Sequence, residues 1–125
     1  MINEKLQDKK ITKIKKIESL VFLFYFYKSL LTTKQQEVFE FYYFEDLSIN
    51  EISLKYEISK VAVFDNLKKT EIQLQKFEAL LKINEKSIKL DNDISLLYKL
   101  IESQNSNLEN FEQIKKIMEN IKNIF

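Results

Sequence analysis

The chain has 125 residues, 45% of them hydrophobic and 31% charged, and its 20 basic and 19 acidic residues leave a net charge of +1. That length fits one domain of ordinary size, or a small domain with a helical appendage, and so balanced a charge announces no polyanionic partner. Cysteine and histidine are both absent, which excludes a disulfide framework, a Cys-type zinc site, a thiol nucleophile and the commonest acid/base catalyst.

Glycine and proline are absent as well. Tight hairpins, phosphate-binding loops and nucleophile elbows rely on glycine for positive φ or close backbone approach, whereas helices need neither residue. The chain therefore reads as all-α. Every basic residue is lysine, a bias expected of AT-rich codons, and it removes the bidentate fork of arginine. No cofactor, metal or small-molecule ligand is predicted. The carboxylates Glu37, Glu40, Glu45 and Asp46 have no His, Cys or Arg to complete a catalytic site, so an enzyme is not expected.

The first helix is predicted over about Ile11 to Leu30. It carries the longest apolar run, Leu20 to Tyr27, whose eight residues are too few to cross a bilayer core of about 30 Å. With no signal-peptide pattern either, a cytoplasmic location is expected. Ile14, Ile17, Val21, Phe24 and Leu31 line one face, while Phe22, Tyr25 and Phe26 occupy the others. A helix apolar on all sides is either the central core helix or is covered by a second copy of the chain, and a homodimer is expected. Ahead of it, residues 1–16 carry six lysines against Glu4 and Asp8. They read as a basic arm for RNA, DNA or acidic lipid, or as a frayed, solvated terminus.

The second helix opens with an N-cap at Thr32 or Thr33, and Val38, Phe39, Tyr42 and Tyr43 form its apolar face. Ser48-Ile49-Asn50-Glu51 is a capping-box pattern that announces a short third helix with Ile49, Ile52 and Tyr56 inward. A turn at Glu57-Ile58 leads to a further N-cap, Ser59, and a fourth helix. The spacing from Ile49 to Leu67 suits a helix-turn-helix: Ser53 at the close crossing, Ile58 as the plug, Val63 and Leu67 inward. Lys60, Val61, Phe64, Lys68 and Lys69 are then the candidate nucleic-acid-binding residues. From Glu57 to Glu71, however, three lysines meet three acidic residues, and segment 17–59 sets three lysines against seven, so strong binding to phosphates is not expected of this surface alone.

The fourth helix continues past the length of an ordinary recognition helix, with Val63, Leu67, Thr70, Leu74, Phe77 and Leu81 in a heptad-like seam. Candidate core or dimer residues are Phe22, Phe24, Phe26, Leu67, Leu74, Phe77 and Leu81. Lys82 to Asn92 is predicted to be a hinge. A helical tail follows, with Ile94, Leu97 and Ile101 on one stripe and a polar connector over 103–106. A second capping box joins Ser106 to Glu109, and Phe111, Ile114, Met118, Ile121 and Phe125 form a last stripe. The expected organisation is a helix-turn-helix domain over 1–83, with its core unit at about 48–70, and a C-terminal helical extension over 84–125.

Three stretches together resemble the bacterial YlxM-like family: Phe24 to Gln36, Tyr42 to Ser53 and Ile58 to Glu71. Its members are similar to region 4 of sigma factors and are typically encoded beside the signal recognition particle GTPase. The resemblance spans roughly Phe22 to Lys82. It implies a helix-turn-helix core of the sigma region 4 type with a long fourth helix and a C-terminal helical tail. It also implies a homodimer, a regulatory role in the signal recognition particle pathway and nucleic-acid binding, with the particle's GTPase, its RNA, or DNA as partners. The alternative is a DNA-binding transcription regulator of the sigma region 4 type. Relatives commonly place Arg-Gln at Lys60-Val61, which removes two side chains suited to bidentate contacts with base edges and points away from sequence-specific reading.

Overall fold

The computed structural model describes residues 2–103 and 108–124. Without glycine or proline to interrupt them, the helices run long: α1 (Ile2–Tyr27), α2 (Thr33–Tyr43), α3 (Ile49–Tyr56), α4 (Lys60–Leu81), α5 (Ile83–Glu102) and α6 (Leu108–Lys122). No strand occurs among the described residues, so the chain is all-α. It divides into two compact units, one ending at Leu81 and the other beginning at Lys82.

In the first unit, α1 begins well before Ile11. The basic segment is helical rather than a frayed arm, since its Lys, Leu, Gln and Glu are strong helix formers. Its other limit is Tyr27, after which Lys28–Leu30 tighten into a 3-10 turn. The Gln36 amide donates to the carbonyls of Lys28 and Leu31, satisfying acceptors that the helix end leaves open.

Only one face of α1 is buried, through Leu20, Leu23, Phe24 and Tyr27. The expectation of a helix covered on all sides is corrected within this chain: Phe22 is 59% exposed and Tyr25 81%. Phe24 stacks on Phe39 of α2 with ring centroids 4.2 Å apart, and Tyr27 lies against Phe77 of α4 while its hydroxyl donates to Glu78 at 2.6 Å. One run thus binds α1 to both neighbours. Leu74 is fully buried, Phe26, Leu67 and Phe77 are half-buried, and Leu81 is exposed.

Thr32 caps α2 with a reciprocal pair of bonds. Its hydroxyl accepts from the Gln35 amide N–H, and Gln35 Oε1 accepts from the Thr32 N–H at 3.0 Å. Gln35 is buried, and its Nε2 donates to Gln73 of α4 at 2.7 Å, so the cap is bolted to the long helix. At α3 only half of the expected box forms: Ser48 Oγ accepts from the Glu51 N–H at 3.1 Å. Val38, Ile52 and Val63, one from each of α2, α3 and α4, are all 0% exposed and make the centre of the helix-turn-helix, with Ile49, Tyr56, Ile58 and Leu67 around them.

Three residues take left-handed backbone where other chains would use glycine: Asp46, Glu57 and Lys82. Glu57, at φ 54° and ψ 43°, ends α3 and lets the Ile58 N–H reach the Ser53 carbonyl at 3.1 Å, which turns the chain into α4. Lys82, at φ 54°, performs the break between α4 and α5 alone. The hinge expected over Lys82 to Asn92 is therefore a single residue; from Ile83 on the chain is helical, because nothing after Lys82 opposes helix formation.

In the second unit α5 packs against α6, and Asn110 Nδ2 donates to Ser103 Oγ at 2.8 Å. Neither helix contains a fully buried residue, and Ile94, Leu97, Tyr98 and Ile101 line an open depression of about 300 Å³. The proposed cap at Ser106 and the side chain of Phe125 lie outside the described residues.

A side chain held in the left-handed region costs about 1–2 kcal/mol, and glycine returns part of that through its greater freedom in the unfolded chain. Glu57→Gly is accordingly expected to stabilise the protein by about 0.5–1 kcal/mol, read as a higher denaturant midpoint at unchanged slope. A lower midpoint would place the strain elsewhere.

Candidate nucleic-acid interface

The surface that a helix-turn-helix offers to a groove is set by which side of its second helix the core consumes. Here Val63, Thr70 and Leu74 point inward and are buried. At 3.6 residues per turn Val61 and Lys68 fall on the opposite side of α4 and Phe64 on its flank, while Lys60 stands in the first turn, nearer the inward side. All four are exposed, Val61 at 68% and Phe64 at 55%, and Lys69 is exposed beside them. Ser59 fixes where this face starts: its Oγ accepts from the Ala62 N–H at 3.0 Å.

Electrostatics temper the surface. Glu71, one turn beyond Lys68, has a side chain only 16% exposed and is shared by two lysines: Lys16 of α1 at 3.0 Å from one carboxylate oxygen and Lys68 at 4.0 Å from the other. Phe64, Lys68 and Glu71 join Tyr42, Tyr43, Ile49 and Leu67 around a shallow depression of about 150 Å³. Burial, then the negative charge of Glu71, then Tyr42 push the Tyr43 phenol above its usual range. The lining of the depression combines the apolar Ile49, Phe64 and Leu67 with the charged Lys68 and Glu71.

The acidic residues noted in α2 and its connector have structural partners. Glu37 accepts from the Tyr56 hydroxyl at 2.5 Å, tying α2 to α3, and burial together with this bond raises the Tyr56 pKa to about 12. Glu40 pairs with Lys28 at 2.5 Å. Among the described residues no group of three or more acidic side chains could hold a metal ion, and no helix is long and apolar enough to cross a membrane.

Sequence reasoning brought together the exposed residues of α4 but missed Glu71 as the meeting point of α1 and α4. It also missed Gln35 and Gln73 as the polar tie beneath the turn. Neither had a usable signal, since a pair distant in sequence leaves no periodic trace.

Comparison with known proteins agrees with this architecture. A family model described as "Putative helix-turn-helix protein, YlxM / p13 like" matches residues 14–123. A UPF0122 protein of Listeria monocytogenes (strain F2365) is 40% identical over 104 residues, covering 82% of this chain and 90% of that protein. A UPF0122 protein of Listeria innocua matches to the same extent, and one of Bacillus cereus (strain AH187) is 33% identical over 108 residues, covering 86% and 98%. The chain belongs to the UPF0122 family of YlxM/p13-like helix-turn-helix proteins.

Proposed function

We propose that this protein is a cytoplasmic regulatory protein that contacts nucleic acid through the amino-terminal half of α4 and serves the signal recognition particle pathway. The observation that carries the nucleic-acid part is the exposure of Lys60, Val61, Phe64 and Lys68 on a helix whose inner side is locked by Val63 and Leu74. A rigid helix with a short basic and apolar face can approach phosphates without rearranging. The balance of lysines by Glu57, Asp65 and Glu71 favours weak, salt-sensitive binding, with affinity completed by a second partner. Resemblance to a family typically encoded beside the signal recognition particle GTPase supports that GTPase or its RNA as the partner.

The runner-up is a transcription regulator of the sigma region 4 type, which the α3–turn–α4 arrangement also suits. Changing Lys60, Lys68 and Lys69 together to Gln separates the readings. The proposal expects weak duplex binding with little sequence preference, and a logarithmic salt slope that falls by about 0.9 per lost phosphate contact. Nanomolar, sequence-specific DNA binding abolished by the triple change would favour the transcription regulator. No binding to any nucleic acid, with retained affinity for the GTPase, would make α4 a protein-docking scaffold.

The proposal includes a homodimer. It is supported by the exposed apolar side chains of the second unit, among them Tyr98, Ile101, Phe111 and Met118, and by Phe22 and Tyr25 on α1. Static light scattering at micromolar concentration is expected to give twice the 15.1 kDa chain mass; the mass of a single chain would contradict it.

A further inference from the structure

The buried seam of α1 does not end where the body of the first unit ends. Tyr27, Leu23 and Leu20 are spaced by four and three residues, and the same spacing continues backwards through Lys16, Lys13, Lys9 and Lys5. The face that packs on α4 as Leu and Tyr thus emerges from it as a row of lysines, and all the described side chains from 3 to 19 are exposed. Glu4 and Asp8 each precede a lysine of the row by one position and are turned about 100° away from it. Four of the six lysines of residues 1–16 therefore share the face that continues the buried seam, while Lys10 and Lys15 lie about 100–120° from its centre.

The row leads towards the α4 surface. Tyr27 meets Glu78 while Lys16 meets Glu71, so lower-numbered residues of α1 lie towards the Lys60 end of α4. At Glu71 the two basic sets join, Lys16 and Lys68 sharing one carboxylate. We infer that Lys5, Lys9 and Lys13 form a phosphate-gripping rail, continuous with Lys60 and Lys68 of α4, that holds the backbone of a double-helical nucleic acid. The family model matches residues 14–123, so Lys5, Lys9 and Lys13 lie ahead of the matched segment.

Physical chemistry favours a polyanion as the occupant. A protein core would demand apolar residues on that seam, and lysines along a straight helix match a repeating line of phosphates, which a duplex supplies at about one charge per 1.7 Å of axis. Lysine recognises phosphate as a point charge and reads no base. The rail therefore supplies affinity and orientation that the charge-balanced face of α4 lacks, and it rests on the nucleic-acid reading of α4 for its placement.

The test uses the full chain with Lys5, Lys9 and Lys13 changed to Gln, a substitution that preserves helix propensity. It is set beside the Lys60, Lys68 and Lys69 variant, with circular dichroism to confirm unchanged helicity. Affinity for a ~20-base-pair DNA duplex of arbitrary sequence, and for an RNA duplex of equal length, is measured against salt. The rail variant is expected to weaken binding to the duplex and to lower the slope for DNA by ~2.7, about 0.9 for each of three contacts. Loss in the rail variant with binding intact in the α4 variant would keep the rail and remove the role of α4. Loss in the α4 variant alone would overturn the rail and keep that role. Failure of the unaltered protein to bind either duplex would overturn both. Binding to phosphatidylglycerol vesicles that depends on the three lysines, with duplex binding unmoved by them, would assign the row to lipid and overturn the rail.

Discussion

Everything in the first unit depends on the contact of Val38, Ile52 and Val63, where three helices each bury one branched side chain completely. Such a contact is directional, because β-branched residues have few rotamers and dense packing leaves no room to rotate a helix by one position. Once Val63 is inward, α4 has no freedom in what it shows to solvent. The outward positions of Val61, Phe64 and Lys68 follow from that constraint and not from any interaction of their own, while Lys60 is exposed in the first turn of α4. Burial of Phe24 and Tyr27 then pins α1 across α2 and α4, and Lys16 reaches Glu71 as a consequence.

Because the chain lacks glycine, its turns are made under local strain. Asp46, Glu57 and Lys82 adopt left-handed backbone at three helix boundaries, each a conformation that glycine would take more easily. The fold tolerates this because each turn is enforced from outside. At Glu57 the Schellman-like bond from Ile58 to Ser53, the Ser59 cap and the packing of Ile58 all require the same path. The Gln35–Gln73 bond beneath the α2 cap has a comparable role, since a buried amide left unpaired would destabilise the unit more than the bond itself stabilises it.

The helix-turn-helix is legible in the sequence because its signals are local: the caps at Ser48 and Ser59, the inward Ile52 and Val63, and the turn at Glu57-Ile58 between them. The long α4 was legible for the same reason, as a seam with no breaker. What could not be read depended on pairs distant in the chain. The apolar run from Leu20 to Tyr27 reads as buried all round because composition does not say which faces find neighbours, and Phe22 and Tyr25 stay exposed. The start of α1 at Ile2 and the single-residue break at Lys82 differ from expectation because helix propensity persists where apolar periodicity is weak. At the candidate interface the exposed residues of α4 were foreseen, whereas the sharing of Glu71 by Lys16 and Lys68 was not.

The account makes the outward side of α4, with the lysine row that leads to it, the place where nucleic acid is met. Amide chemical shifts of the isotopically labelled full chain during titration with a short duplex test this most directly, since they report position and not only affinity. The account predicts shifts concentrated in Lys5 to Lys16 and Lys60 to Lys69, with the buried Val38 and Ile52 little changed. Shifts confined to α5 and α6, with α4 silent, would contradict it.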